Sequence, residues 1–319
     1  MAGNELYRQN LPLIVHIVFR LDYGGLENGL TNVINGLSDY PYRHAVIALT
    51  EATDFAERLR DGVGVHSLGK KAGKDFLSYL RLFRLLRTLR PAVVHTRNIG
   101  TLDCAFIAFL ARVPVRIHGE HGWDVLDPDG TNPKYRRLRR SLSRFVDRFV
   151  TVSEDLQRWL IDTVGIPQTK VQHICNGVDT DRFRPRHSND ISHLPQRLDG
   201  GEGAVVGTVT RFSPIKDPLN VIEAFTALNT QGSDRAARLI MIGDGELLAK
   251  ARERIRAAGI AHLCWLPGSR DDIPALLRSI DVFVLGSLRE GISNTVLEAM
   301  ATGLPVVATD TGGNRELID

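Results

Sequence analysis

Cysteine is scarce: Cys104, Cys175 and Cys264 stand far apart and fall in no C-x-x-C or Cys/His ligand spacing. No disulfide framework or thiolate metal site is therefore expected, and a reducing cytoplasm is the expected setting. Long apolar runs are missing too. The opening run Leu13–Phe19 is broken at Arg20 and Asp22, far short of the ~20 residues a membrane span needs. A G-x-G-x-x-G fingerprint is absent, which disfavours an NAD-linked dehydrogenase. Aromatics make up only 7% and do not interleave with the basic segments, so a nucleic-acid partner is not expected.

What is present is alternation. Over 319 residues, short apolar β-branched runs alternate with helical periods, and the length suits two domains. Strands are expected at 13–19, 45–49, 63–67, 92–95, 115–118, 149–152 and 170–174. Helices are expected between them at 24–37, 55–61, 76–89, 101–111 and 154–164. Such a series makes a doubly wound parallel sheet. The polar, aperiodic stretch 187–203 reads as a linker. A second series follows, with strands at 204–209, 239–243, 263–266, 281–285 and 305–309 and helices at 218–230, 245–258 and 273–279. The expected domains are thus 1–186 and 204–319.

The most informative stretch is Asp281–Thr309. Val282–Leu285 and Pro305–Thr309 read as buried strands, with one helix between them that Gly303 and Pro305 stop. Ser293, Asn294 and Thr295 can cap its start. The loop Gly286–Ser293 then lies at the carboxyl end of a parallel strand, where ligands of open α/β sheets bind. A helix start offers free N–H groups and about half a positive charge to a phosphate. Gly291 permits close approach, with Ile292 beside it. Glu298, roughly 4.5 Å further along the axis than Thr295 at 1.5 Å per residue, can accept two ribose hydroxyls. Glu290, in the loop, lies on the other side. Ribose, diphosphate and a second polyol in a row describe a sugar nucleotide, although two surface carboxylates beside a helix cap would read the same way.

The segment EGISNTVLEAMATGLPVVATDTGGNREL, Glu290–Leu317, resembles the signature of the retaining GT-B glycosyltransferases of family 4, with Glu290 and Glu298 as their E-x7-E pair. The likeness covers nearly the whole chain, most strongly from Ala204 onward. It implies two Rossmann-like domains facing across a cleft. It also implies transfer of a sugar from a nucleoside-diphosphate sugar to a hydroxyl acceptor, glycan or lipid-linked, without a metal or other cofactor. Arg211 and Lys216 match the family's pyrophosphate-binding pair. Donor-binding roles fall to Arg211, Lys216, Gly291, Ile292, Ser293, Asn294, Thr295 and Glu298, and catalytic roles to Glu290 and His121. The latter matches the histidine near the donor sugar, while His118 is expected to belong to the strand. Gly24 and Gly25 form the expected acceptor or phosphate loop, although a tight β–α turn would explain them too.

Asp127-Pro128-Asp129 spells D-x-D, the metal motif of another transferase fold, and is read here as a loop. The opening IVHIVFRLDYGGLENGLTNVINGL is similar to the sugar transferases of exosortase and exopolysaccharide systems. Relatives of the family continue beyond the position of Asp319, so the carboxyl end reads as incomplete. A sugar-nucleotide epimerase of the same fold, or a non-catalytic membrane-associated scaffold, remain alternatives. The last draws on Lys134–Arg148, where Lys134, Arg136, Arg137, Arg139, Arg140, Arg144 and Arg148 oppose Asp147 alone. Apolar residues recur there at helical spacing, as in the basic helix 76–90, which suits an anionic membrane surface or simply a solvated face. Peripheral attachment to the inner face of the plasma membrane is the corresponding localisation.

Overall fold

A computed structural model describes residues 11–73, 75–123, 127, 129–230 and 236–318. The chain forms two compact units, Met1–Cys175 and Asn176–Asp319, each built on a wholly parallel sheet.

In the first unit the strands are β1 (Leu13–Val18), β2 (Arg43–Ala48), β3 (Gly64–Ser67), β4 (Val93–Arg97), β5 (Val115–Glu120), β6 (Arg148–Thr151) and β7 (Val171–His173). Their order is β3-β2-β1-β4-β5-β6-β7, so the winding reverses beside β1. Helix α1 (Gly25–Gly36) follows β1, and α2 (Phe76–Leu89) follows β3. Asp75 caps α2 by accepting from the Ser78 N–H at 3.1 Å, and Arg90 ends it in the left-handed conformation at φ 48°. Leu82 and Leu86 on the inner face of α2 pack with Val15, Ile17, Ala45 and Ile47. Burying such side chains contributes ~1.5–3 kcal/mol each.

Three expected helices differ in detail. Residues 54–58 form a 3₁₀ turn, and 101–111 divides into a 3₁₀ turn and α3 (Cys104–Leu110). Helix α4 (Pro133–Leu142) comes next, and then α5 (Glu154–Arg158), which widens into a π-helical Trp159–Val164.

The second unit holds β8 (Val205–Val209), β9 (Arg238–Ile242), β10 (Cys264–Gly268), β11 (Val282–Leu285) and β12 (Val306–Ala308), ordered β10-β9-β8-β11-β12. Alternation along β9 feeds two cores. Leu239 and Met241 join Phe212, Val221 and Phe225 on one face; Ile240 and Ile242 join Leu277, Phe283 and Val296 on the other. That is the period of two a buried strand imposes. Helices α6 (Pro218–Thr230), α7 (Leu248–Ala257), α8 (Ile273–Leu277) and α9 (Asn294–Ala301) cover the faces.

The segment 176–186, expected at the end of the first domain, lies in the second unit. Phe183 is buried in that unit's core with Val205, Ile280 and Phe283. The expected linker is also tied down: Leu198 is buried, the Arg238 guanidinium donates to the carbonyls of Leu198 and Gly203, and Arg184 pairs with Asp190 at 2.8 Å. Among the described residues no helix is long and apolar enough to cross a membrane. The first ten residues, Pro128 of the D-x-D run, and Asp319 lie outside the described residues.

Candidate functional site

The loops after β8, β9, β10, β11 and β12 meet at the carboxyl end of the second sheet, and main-chain hydrogen bonds tie them together. Phe212 N–H donates to Asp244 O at 2.9 Å, Gly243 N–H to Gly268 O at 2.9 Å, Leu288 N–H to Ile215 O at 2.9 Å and Gly313 N–H to Gly291 O at 3.1 Å. Close approach of backbone in these loops needs glycine. At Gly312, with φ +51°, a Cβ would stand 1.9 Å from the Glu290 carbonyl oxygen.

Within this frame Lys216 Nζ lies 2.5 Å from Glu290 Oε1, and Ser287 Oγ donates to the same oxygen at 2.7 Å. Glu290 is buried, so its charge is held by one cation and one hydroxyl. Thr309 Oγ1 donates to Ser287 O at 2.5 Å and Thr311 Oγ1 to Leu288 O at 3.0 Å, bracing the loop from β12. Arg211 is exposed beside Phe212, which is fully buried.

Ser293 caps α9, its hydroxyl accepting from Val296 N–H at 3.3 Å and lying 3.1 Å from Thr295 Oγ1. Asn294 Oδ1 accepts from Asn176 Nδ2 at 2.8 Å, which brings the run Asn176-Gly177-Val178-Asp179 to this helix start. Glu298, one turn on, is half-buried. Burial pushes its carboxyl up to about 7, with the Arg182 charge opposing that only in part. A carboxyl so placed takes a donated hydroxyl hydrogen bond as a replacement for lost water. The second unit thus brings together Lys216, Glu290, Gly291, Ile292, Ser293, Asn294, Thr295 and Glu298.

In the first unit His118 lies within β5 and His121 just after it. His118 Nδ1 is 2.8 Å from Thr96 Oγ1 and its Nε2 is 3.4 Å from Glu120 Oε1. His121 is on the other face. Its backbone N–H donates to Asn98 Oδ1 at 2.8 Å, and burial, with Arg97 assisting, holds its imidazole down at about 3. Asn98 itself adopts φ 55° with ψ 169°, a strained conformation otherwise almost confined to glycine. Gly24 precedes α1 in extended backbone, φ −164°, so no left-handed turn requires it.

The basic segment departs from expectation at one residue. Arg139 is the buried residue of α4, 3% exposed, with Nε 2.6 Å from Glu120 Oε1 and its guanidinium 4.8 Å above the Trp159 ring. Burial would raise the Glu120 carboxyl, but Arg139 and His118 outweigh it and hold the group at about 2. Lys134, Arg137, Arg140, Arg144 and Arg148 are exposed as expected. Asp127 is buried and accepts from Asn132 N–H at 3.0 Å, bracing the turn before α4.

Ser287, Thr309, Thr311, Gly312, Arg97 and Asn98 went unassigned by sequence reasoning. The Gly312-Gly313 pair after β12 is the visible signal for the brace, because glycine suits both a positive φ and close backbone approach.

Residues 23–182 match the family described as Glycosyltransferase Family 4, and residues 193–319 match Glycosyl transferases group 1. A GDP-mannose-dependent alpha-mannosyltransferase of Mycobacterium tuberculosis is 30% identical over 96% of this chain and 80% of its own length. An Escherichia coli UDP-Gal:alpha-D-GlcNAc-diphosphoundecaprenol alpha-1,3-galactosyltransferase is 30% identical over 77% of this chain and 64% of its own. Among solved structures, Anabaena HepE in complex with UDP and glucose superposes with a TM-score of 0.80, at 23% identity over 96% of this chain and 83% of that one. With its two parallel-sheet Rossmann-like units in the GT-B fold, the chain belongs to the family 4 glycosyltransferases.

Proposed function

We propose that the chain transfers a sugar from a nucleoside-diphosphate sugar to a hydroxyl of a glycan or lipid-linked acceptor, with retention at the anomeric carbon and without a metal. The bond from that carbon to the diphosphate oxygen breaks, a bond to the acceptor oxygen forms, and the acceptor's proton leaves with the departing diphosphate. The observation that carries this reading is the convergence of Lys216, Glu290, Glu298 and the start of α9 on one set of loops at the carboxyl end of the second sheet.

In this reading Arg211, Lys216 and the amides of Ser293–Thr295 stabilise the charge that develops on the diphosphate. Gly291 and Ile292 shape the approach. Glu298 holds the ribose, Glu290 the donor sugar, and His121 a hydroxyl near the reacting carbon. Gly24 and Gly25 form the acceptor or phosphate loop, as the family resemblance implies. A lipid-linked acceptor is supported by the similar E. coli enzyme, named for a diphosphoundecaprenol substrate. A role in exopolysaccharide synthesis, and the assignment of the acceptor to the first unit and the donor to the second, follow from the family resemblance.

An anionic membrane surface is the proposed site of work. Phe76 and Leu77 are 74% and 66% exposed at the start of α2, beside exposed arginines of the kind that binds acidic headgroups at about 1 kcal/mol each. Flotation with anionic but not neutral liposomes is expected; equal recovery with both removes this part.

The deciding experiment incubates the chain with UDP- and GDP-sugars, with and without a polyprenyl-diphosphate sugar, in the presence of EDTA. Acceptor-dependent release of nucleotide with the donor's anomeric configuration kept supports the reading. A changed nucleotide sugar formed without acceptor, or a product of inverted configuration, overturns it.

A further inference from the structure

Arg97 is buried at the end of β4 among imidazoles. Its Nη1 and Nη2 each lie 3.3 Å from His16 Nδ1, and Nη2 lies 3.3 Å from His95 Nδ1. A guanidinium has N–H donors and no lone pair to offer, so the Nδ1 of both rings must accept. A neutral imidazole that accepts at Nδ1 carries its hydrogen at Nε2. His16 then donates from Nε2 to His44 Nδ1, 3.1 Å away, and the same logic puts the His44 hydrogen on Nε2. One cation fixes a run of tautomers across β4, β1 and β2.

The row continues to β5. Gly119 pairs with Arg97 in the sheet, and a Cβ there would stand 2.4 Å from His121 Nε2 and 3.1 Å from His95 Nε2. The absent side chain lets the His121 ring lie against the strand, its centroid 6.5 Å from that of His95.

We propose that Arg97 is a positioning residue: it locks His16 and His95 as Nε2–H tautomers and keeps the row, His121 included, uncharged. His121 would then meet the donor sugar as a neutral hydrogen-bond partner, a consequence that rests on the reading of its role above. Burial is the main cause that keeps His16, His95 and His121 unprotonated, and the Arg97 charge adds to it. His44 faces His16 from β2, and His118 acts in the same direction from β5. Glu120 opposes on His121, and Glu27, in the first turn of α1, offsets part of the Arg97 charge.

The test is imidazole ¹⁵N NMR of the uniformly labelled chain from pH 5 to 8. Wild type is expected to show His16 and His95 as single Nε2–H tautomers, with no titration of His121 in that range. In Arg97→Met the two rings should become tautomer mixtures, and one member of the row should take up a proton above pH 5 in place of the lost cation. Arg97→Lys should keep the row uncharged but release at least one of the two tautomers, because an ammonium cannot match the fork. An Nδ1–H signal for His16 or His95 in wild type overturns the proposal without any variant, as does Arg97→Met spectra identical to wild type. These readouts need no sugar transfer, so failure of the donor-site reading and failure of this inference are seen separately.

Discussion

Lys216 Nζ and Glu290 Oε1 stand 2.5 Å apart, so two groups assigned to different parts of a donor are partners of each other. Ligand phosphate must compete with the carboxylate for the lysine. Glu290→Gln removes that competitor and leaves a side chain that Ser287 can still reach. Affinity for the nucleoside diphosphate is expected to stay level or rise by up to about tenfold, roughly 1.4 kcal/mol, while turnover falls by on the order of a hundredfold. Calorimetric titration beside transfer kinetics checks this. A parallel loss of both would mean that Glu290 organises the phosphate site itself.

Glu298 supplies a pH dependence. Its carboxyl is raised to about 7, and the ionised form, with two acceptor-only oxygens, is the stronger acceptor for both ribose hydroxyls. Nucleotide affinity should therefore rise between pH 6 and 8, and Glu298→Gln should bind weakly with that slope removed. The stability sign is opposite. A carboxyl raised in the folded state stabilises the fold below its unfolded value, and that contribution is lost as pH rises through about 7. Glu298→Gln should consequently unfold with a flatter profile between pH 5 and 8. A wild-type affinity constant across pH 6–8 would remove the ribose assignment.

The Glu120–Arg139 pair is a stability element within a segment that otherwise looks like a surface. Arg139→Met leaves a buried carboxylate without its cation, and about 3–5 kcal/mol of destabilisation is expected. Glu120→Leu with Arg139→Met should recover most of it. Thermal unfolding of the single and double variants measures both. If the single variant unfolds like wild type, the pair does not hold β5 to α4.

Gly312→Ala tests the brace behind Glu290. The φ of +51° and the 1.9 Å approach of a Cβ to the Glu290 carbonyl oxygen demand a backbone shift. About 1–2 kcal/mol from the left-handed conformation alone is expected, with transfer reduced more than stability because the displaced residue is Glu290. Activity equal to wild type in a folded variant would show that the loop position is not critical.

Much of this architecture was legible in the sequence because parallel strands buried on both faces read as apolar runs, and β9 or β11 cannot be mistaken for surface. The cap at Ser293 and the ends of α2 and α6 followed from local chemistry. The Lys216–Glu290 pair did not, since its members are 74 positions apart and a salt bridge leaves no local signature. Arg139 read as one more solvated arginine, because nothing local marks Glu120 as its partner. The placement of 176–186 turned on Phe183, whose packing against β8 and β11 depends on the fold as a whole.

The loops after β8 to β12 hold one another through amides and carbonyls, groups that every residue carries whatever its side chain. Apart from Ser287, Thr309, Thr311 and Gly312, which take part in that frame, exposed side chains in those loops are thus free to change without loosening the scaffold beneath them. Positions such as Glu246, Ser269 and Leu288 form a permissive palette, on which a new donor preference could be evolved by substitution while Lys216, Glu290 and Glu298 stay where they are.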